Sequence, residues 1–64
     1  MELKHRRERK RWTQEQLSLK SGVSRISIAR YESGQREPTL TIAAKLAAAL
    51  DCSVDDLVER KEES

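Results

Sequence analysis

Between Thr39 and Leu50 the apolar residues Leu40, Ala43, Leu46, Ala47 and Leu50 fall at i, i+3, i+6, i+7 and i+10, which is one stripe along a helix. Upstream, "SGVSRISIARYESG" reads as a tight turn followed by a shorter helix. Val23, Ile28 and Tyr31 face inward on it, and Arg25, Ile26, Ala29 and Arg30 then face outward. Residues 2 to 10 have helix-forming composition with no breaker, and a last short helix follows Ser53. The pattern therefore predicts five helices.

The boundaries carry a repeated grammar. In "WTQEQLSLKSG", Thr13 is an N-cap and Gln16, three residues on, completes a capping box. Trp12 and Leu17 then occupy the N′ and N4 positions of a hydrophobic staple, and Gly22 ends the helix in a left-handed conformation. Ser24 caps the next helix, with Val23 and Ile28 in staple positions, and Gly34 closes it. "QREP" is a loop ending at Pro38, and Thr39 caps the helix that runs through Leu50. Asp51 stands where a terminating glycine is usual, a conformation Asp tolerates less well. Ser53 caps the last helix with Cys52 and Leu57 as its staple pair, and residues 59–64 read as a charged, frayed tail.

Composition narrows the class. At 64 residues the chain holds one domain at most, near the lower limit for folding without disulfides or metal. One Trp, one Tyr and no Phe imply a small aliphatic core, and two Gly and one Pro among good helix formers imply an all-α fold. A lone cysteine cannot staple the fold, and there is no Cys/His cluster for zinc, so a reducing compartment is the simple reading. No apolar run is long enough to span a membrane or form a signal-peptide core.

Net charge is only +2, but it is unevenly placed. Residues 1–12 carry six Lys/Arg against two Glu, and residues 51–64 carry six Asp/Glu against two Lys/Arg. A cationic front points to a polyanionic partner, although charge alone equally describes a solvated face.

The spacing becomes specific between Gln14 and Ser33. In that window Gly22 stands ninth, with Leu17, Val23, Ile28 and Tyr31 at the fourth, tenth, fifteenth and eighteenth places and the small Ser18 at the fifth. This resembles the helix-turn-helix of the Cro and phage-repressor, or Xre, family. "TQEQL", "SGVSRISIARYESG", "REPTL" and "AAALDCSVDDL" resemble that family's segments in order, so the likeness runs from about Leu3 to Val58. It implies a compact five-helix bundle, lambda-repressor-like, that binds double-stranded DNA in a sequence-specific way and regulates transcription, in the first instance as a repressor. A cytoplasmic protein of bacterial, phage or mobile-element origin follows from the same likeness.

The resemblance also assigns roles. The recognition helix, about residues 24–33, enters the major groove, with Arg25, Ile26, Ala29 and Arg30 against the bases. Arginine's planar fork suits guanine O6 and N7, and isoleucine suits a thymine methyl. Lys10, Arg11, Gln14, Ser24 and Arg36 match backbone-contacting places, Gln14 at a helix N-terminus that favours an anion. Arg7 and Glu32 match a family ion pair that orients the reading helix. The plainer readings are solvated arginines and lysine for Arg25, Arg30, Arg36, Lys10 and Arg11, a partly covered surface residue for Ile26, a well-placed first-turn glutamine for Gln14, and two separate surface charges for Arg7 and Glu32. Two half-sites on the operator and a weak homodimer are expected, with Val54, Leu57 and Val58 as interface candidates, Leu57 more in the character of core.

Several positions depart from the family pattern. Arg6 stands where an apolar residue is common, Leu19 is apolar where the family is polar, and Ala43 and Ala44 replace bulkier residues and thin the core. His5 reads as a surface histidine, and Cys52, in a place usually taken by Val, as a small buried hydrophobe. Asp55 and Asp56 favour the dipole of the last helix and are not placed as an acid/base pair. No metal, cofactor, catalytic residue or small-molecule ligand is expected. The alternative function is a protein-interaction module, an antitoxin or adaptor, built on the same fold.

Overall fold

The structure, a computed structural model, describes residues 1–58; the expected tail at 59–64 lies outside the described residues. Five helices follow one another: α1 (Leu3–Arg9), α2 (Gln14–Ser21), α3 (Arg25–Glu32), α4 (Leu40–Ala49) and α5 (Val54–Leu57). The central pair α2 and α4 pack on each other, α3 packs on α2, α5 on α4, and α1 bridges to α3.

Side chains start four of the helices. Thr13, Ser24, Thr39 and Ser53 each accept a hydrogen bond from the backbone N–H three residues on, which satisfies a donor the helix leaves unpaired. Thr13 and Gln16 form the expected capping box, and Asp56 forms a second with Ser53. Helix α1 starts without a side-chain cap; instead the Glu2 N–H donates to the Leu57 carbonyl at 2.9 Å, tying the first residues to α5.

The helix ends share a second device. After α1, Arg11 N–H donates to Glu8 O and Trp12 N–H to Arg7 O. After α3, Gly34 N–H donates to Tyr31 O and Gln35 N–H to Arg30 O; after α4, Asp51 N–H donates to Ala48 O and Cys52 N–H to Ala47 O. This is the Schellman pattern three times, and it requires a left-handed residue each time. Gly34 meets that requirement freely, whereas Arg11 and Asp51 both sit at φ 61° despite their side chains. Helix α2 ends more simply on Gly22 at φ 80°, whose N–H donates to Ser18 O, and that turn sets the angle between α2 and α3.

The core is small and aliphatic. Leu3, Leu17, Val23, Ile28, Leu46, Ala47, Leu50 and Leu57 form one buried cluster, with Trp12, Tyr31, Ile42, Cys52 and Val54 packed against it while still partly exposed. Two expectations need correction. Leu40 does not belong to the buried stripe: it is 75% exposed, because it opens α4 beyond the reach of the other helices, and Ile42 packs on the core from that end instead. Ala44 is exposed, so it cannot thin the core; only Ala43 is buried. His5 is exposed.

Three stability outcomes follow. Leu46→Ala should cost roughly 2–5 kcal/mol in denaturant unfolding, because a fully buried leucine leaves a cavity. Asp51→Gly should instead gain about 0.5–1 kcal/mol by relieving a left-handed non-glycine residue. Burial pushes the Cys52 thiol up, with Asp56 and Asp51 adding to it against the opposing pull of Arg6 and Lys10. A raised acid favours the fold at low pH and loses that advantage as the unfolded thiol ionises, above about pH 8.5. Stability should therefore decline over that range, and Cys52→Ala should remove that part of the decline.

Candidate nucleic-acid interface

The geometry centres on one side chain from α1. Among the described residues Arg7 is the one charged residue that is buried, a position that an unpaired charge could not tolerate. Its Nε donates to Glu32 Oε2 at 2.7 Å and its Nη2 to Glu32 Oε1 at 3.0 Å, a two-pronged contact that suits the planar guanidinium. The third prong, Nη1, donates to the Trp12 carbonyl at 2.7 Å. Gln14 Nε2 adds a bond to Glu32 Oε1 at 3.0 Å. The two charged side chains are 10% and 5% exposed, and the hydrogen bonding to Glu32 raises the Arg7 pKa above its ordinary value, so the guanidinium stays charged. Four places meet here: α1, the α1–α2 turn, the first residue of α2 and the last residue of α3. The third prong onto Trp12 O has no signal in the side-chain sequence, because its acceptor is backbone.

Helix α3 is thereby held at both ends. Ser24 Oγ accepts from the Ser27 N–H at 3.1 Å at its start, and Glu32 anchors its finish. Val23 and Ile28 are buried and Tyr31 is half-buried on the inner side. Arg25, Ile26 and Arg30 are exposed on the outer side, Ile26 by 60%, while Ala29 is half-buried between them. An isoleucine displayed in this way stands outside the buried cluster.

The other candidate residues surround this face unequally. Gln14 is half-buried by its bond to Glu32, and Ser24 is committed to capping α3 while remaining exposed. Arg36, in the loop after α3, is exposed, and its N–H reaches back to the Arg30 carbonyl. Arg11 is exposed in its left-handed turn. Lys10 is exposed too, but its Nζ lies 5.5 Å from the centre of the Trp12 ring, and Lys20 Nζ lies 5.2 Å from the same ring. The sequence marks Trp12 only as a staple residue and Lys10 only as a backbone candidate; nothing in it signals that Lys10 and Lys20 meet at this ring. Among the described residues no group of His, Cys, Asp and Glu could hold a metal ion, and no helix is long and apolar enough to cross a membrane.

Comparison with known proteins gives a consistent picture. A family model described as helix-turn-helix matches residues 3–57. The chain is 42% identical over 48 residues to the cryptic phage CTXphi transcriptional repressor RstR of Vibrio cholerae, covering 75% of this chain and 43% of that protein. It is 33% identical over 57 residues to the HTH-type transcriptional regulator AnsR of Bacillus subtilis, covering 89% of this chain and 49% of that protein. An uncharacterized HTH-type transcriptional regulator of Methanocaldococcus jannaschii is 38% identical over 55 residues, covering 86% of this chain and 83% of its own. The chain thus spans about half the length of the first two relatives.

The role of the central node can be measured. Arg7→Met and Glu32→Gln should each destabilise the fold, and the double variant should cost clearly less than the sum of the two, because the second change no longer strands a buried partner. A coupling of about 1–3 kcal/mol in a double-mutant cycle is expected. Additive losses would show that the two residues act separately.

Proposed function

The chain belongs to the helix-turn-helix family, and on that premise we propose that it binds double-stranded DNA in a sequence-specific way and regulates transcription, in the first instance as a repressor. The observation that carries this reading is the exposed Arg25–Ile26–Arg30 face on a helix fixed at both ends. A helix presented in this way fits the major groove, where base edges carry a distinguishable pattern of donors, acceptors and methyl groups. Arg25 and Arg30 offer paired donors to guanine, Ile26 offers apolar contact to a thymine methyl, and the half-buried Ala29 lets the groove wall approach.

Backbone contact falls to Lys10, Arg11, Gln14, Ser24 and Arg36. Gln14 has a double part in this scheme. Its bond to Glu32 couples the phosphate-facing end of α2 to the end of α3, so a backbone contact at one helix registers the other. Dimerisation on two half-sites about 34–36 Å apart is part of the proposal, with Val54 and Val58 as contacts. Leu57 is fully buried and belongs to the core. A cytoplasmic location, and an origin in a bacterium, a phage or a mobile element, accompany this reading.

Competition between matched and mismatched half-sites selected from a random duplex pool tests it. Arg25→Ala or Arg30→Ala should cost about 1–3 kcal/mol on the best site and relax preference at one base position. Arg36→Ala should weaken all duplexes alike and lower the salt slope by about one. If the two α3 variants weaken every sequence equally and leave specificity intact, α3 is not the reader.

A further inference from the structure

A second surface lies away from the outer face of α3. Arg6, Arg9 and Lys10 of the α1 end line a hollow closed by Leu50. Gln16, Leu19, Lys20 and Ala49 line a neighbouring open groove between α2 and the end of α4. The Trp12 ring joins the two, since Lys10 and Lys20 both rest on it and belong one to each hollow. Leu50 and Ala49, adjacent in α4 and its cap, continue the surface below.

The chemistry of this surface is two-fold. Its cations are Arg6, Arg9, Lys10 and Lys20, none in an ion pair with a carboxylate among the described residues, and Arg6 Nε is buried there without an acceptor. Among the described residues, no carboxylate lines either hollow. Asp51 and Asp56 act on the Cys52 thiol together with Arg6 and Lys10 without lining either hollow. Between the cations sits apolar area: Leu19 at 79% exposed and the half-buried Trp12 and Ala49. A phosphate backbone gains from the cations but has no use for an exposed leucine.

We propose that this α1–α2–α4 surface docks an acidic amphipathic segment of a partner protein, its apolar side on Leu19, Ala49 and Trp12 and its carboxylates on Arg6, Arg9 and Lys20. Charge complementarity and the apolar strip together select that occupant, which resembles a helix laid in a groove by spaced apolar anchors. Arg25, Ile26 and Arg30 do not line either hollow, so the docking surface is separate from the proposed base-reading face, with Lys10 alone shared with the proposed backbone contacts, and the proposal stands without the DNA reading.

The test uses the whole chain, ¹⁵N-labelled, and a synthetic helical peptide of about 15 residues with leucines at i, i+3, i+4 and i+7 and glutamates elsewhere. A peptide of the same composition with the leucine spacing broken is the control. Shift changes should concentrate on the second half of α1, Trp12 and the Leu19–Lys20 end of α2, and the control should bind about tenfold more weakly. Leu19→Ser and Lys20→Glu should each weaken binding about tenfold with the helical circular dichroism unchanged, since both side chains are exposed. Arg25→Ala should leave peptide binding as it is. Equal binding of the control, shifts centred on α3, or self-association that shifts the same residues without peptide would each overturn the proposal.

Discussion

The buried guanidinium of Arg7 is the constraint on which the arrangement of this molecule depends. It cannot sit at 8% exposure unless its donors are met, and the groups that meet them lie on separate elements. Glu32 brings the end of α3, and the Trp12 carbonyl brings the turn that leads into α2. Gln14 adds the first residue of α2 on the same carboxylate. A hydrophobic pair of equal volume would bury as well, but it would tolerate rotation and sliding. The two-pronged contact does not, so the pair contributes position more than stability.

Position matters here because the core is too small to supply it alone. Eight buried residues, all aliphatic, hold five short helices, the last of them four residues long. Short helices are marginal by themselves, and their unpaired terminal groups are a large share of their backbone. That explains the density of caps: four side-chain N-caps and three Schellman ends in 58 described residues. It also explains why Arg11 and Asp51 remain in left-handed conformations at an energetic cost. Each lets the chain reverse in a single residue and deliver the next side chain, Trp12 or Cys52, to the core.

The same economy separates the molecule's surfaces. Helix α3 spends its inner side on Val23 and Ile28 and leaves Arg25, Ile26 and Arg30 outward. Helix α1 sends Arg7 inward to α3, and Arg6 and Arg9 fall on another side, toward Leu50. Consecutive residues on one helix thus serve different faces, which is a direct result of a turn of 100° per residue. Proposed base contact and proposed partner contact can coexist on so short a chain because the helices present different sides to each.

Much was legible in the sequence because it is local. Caps and staples depend on residues three to five apart, so Thr13, Ser24, Thr39 and Ser53 announced their helices, and Gly22 announced the turn between α2 and α3. The outward set on α3 follows from helical period alone, given which residues are apolar. The pairing of Arg7 with Glu32 was legible only through likeness to a family, since 25 residues separate the partners and nothing in either side chain names the other. Tertiary structure decided the rest. Leu40 looks like core by period, but it is 75% exposed, and Ile42 of the same turn packs on the core instead. Lys10, Trp12 and Lys20 came together only because the left-handed turn at Arg11 and the packing of α2 placed one ring within reach of two ammonium groups. Spacing along a chain specifies which side of a helix a residue occupies; what lies opposite that side is set by how the helices cross.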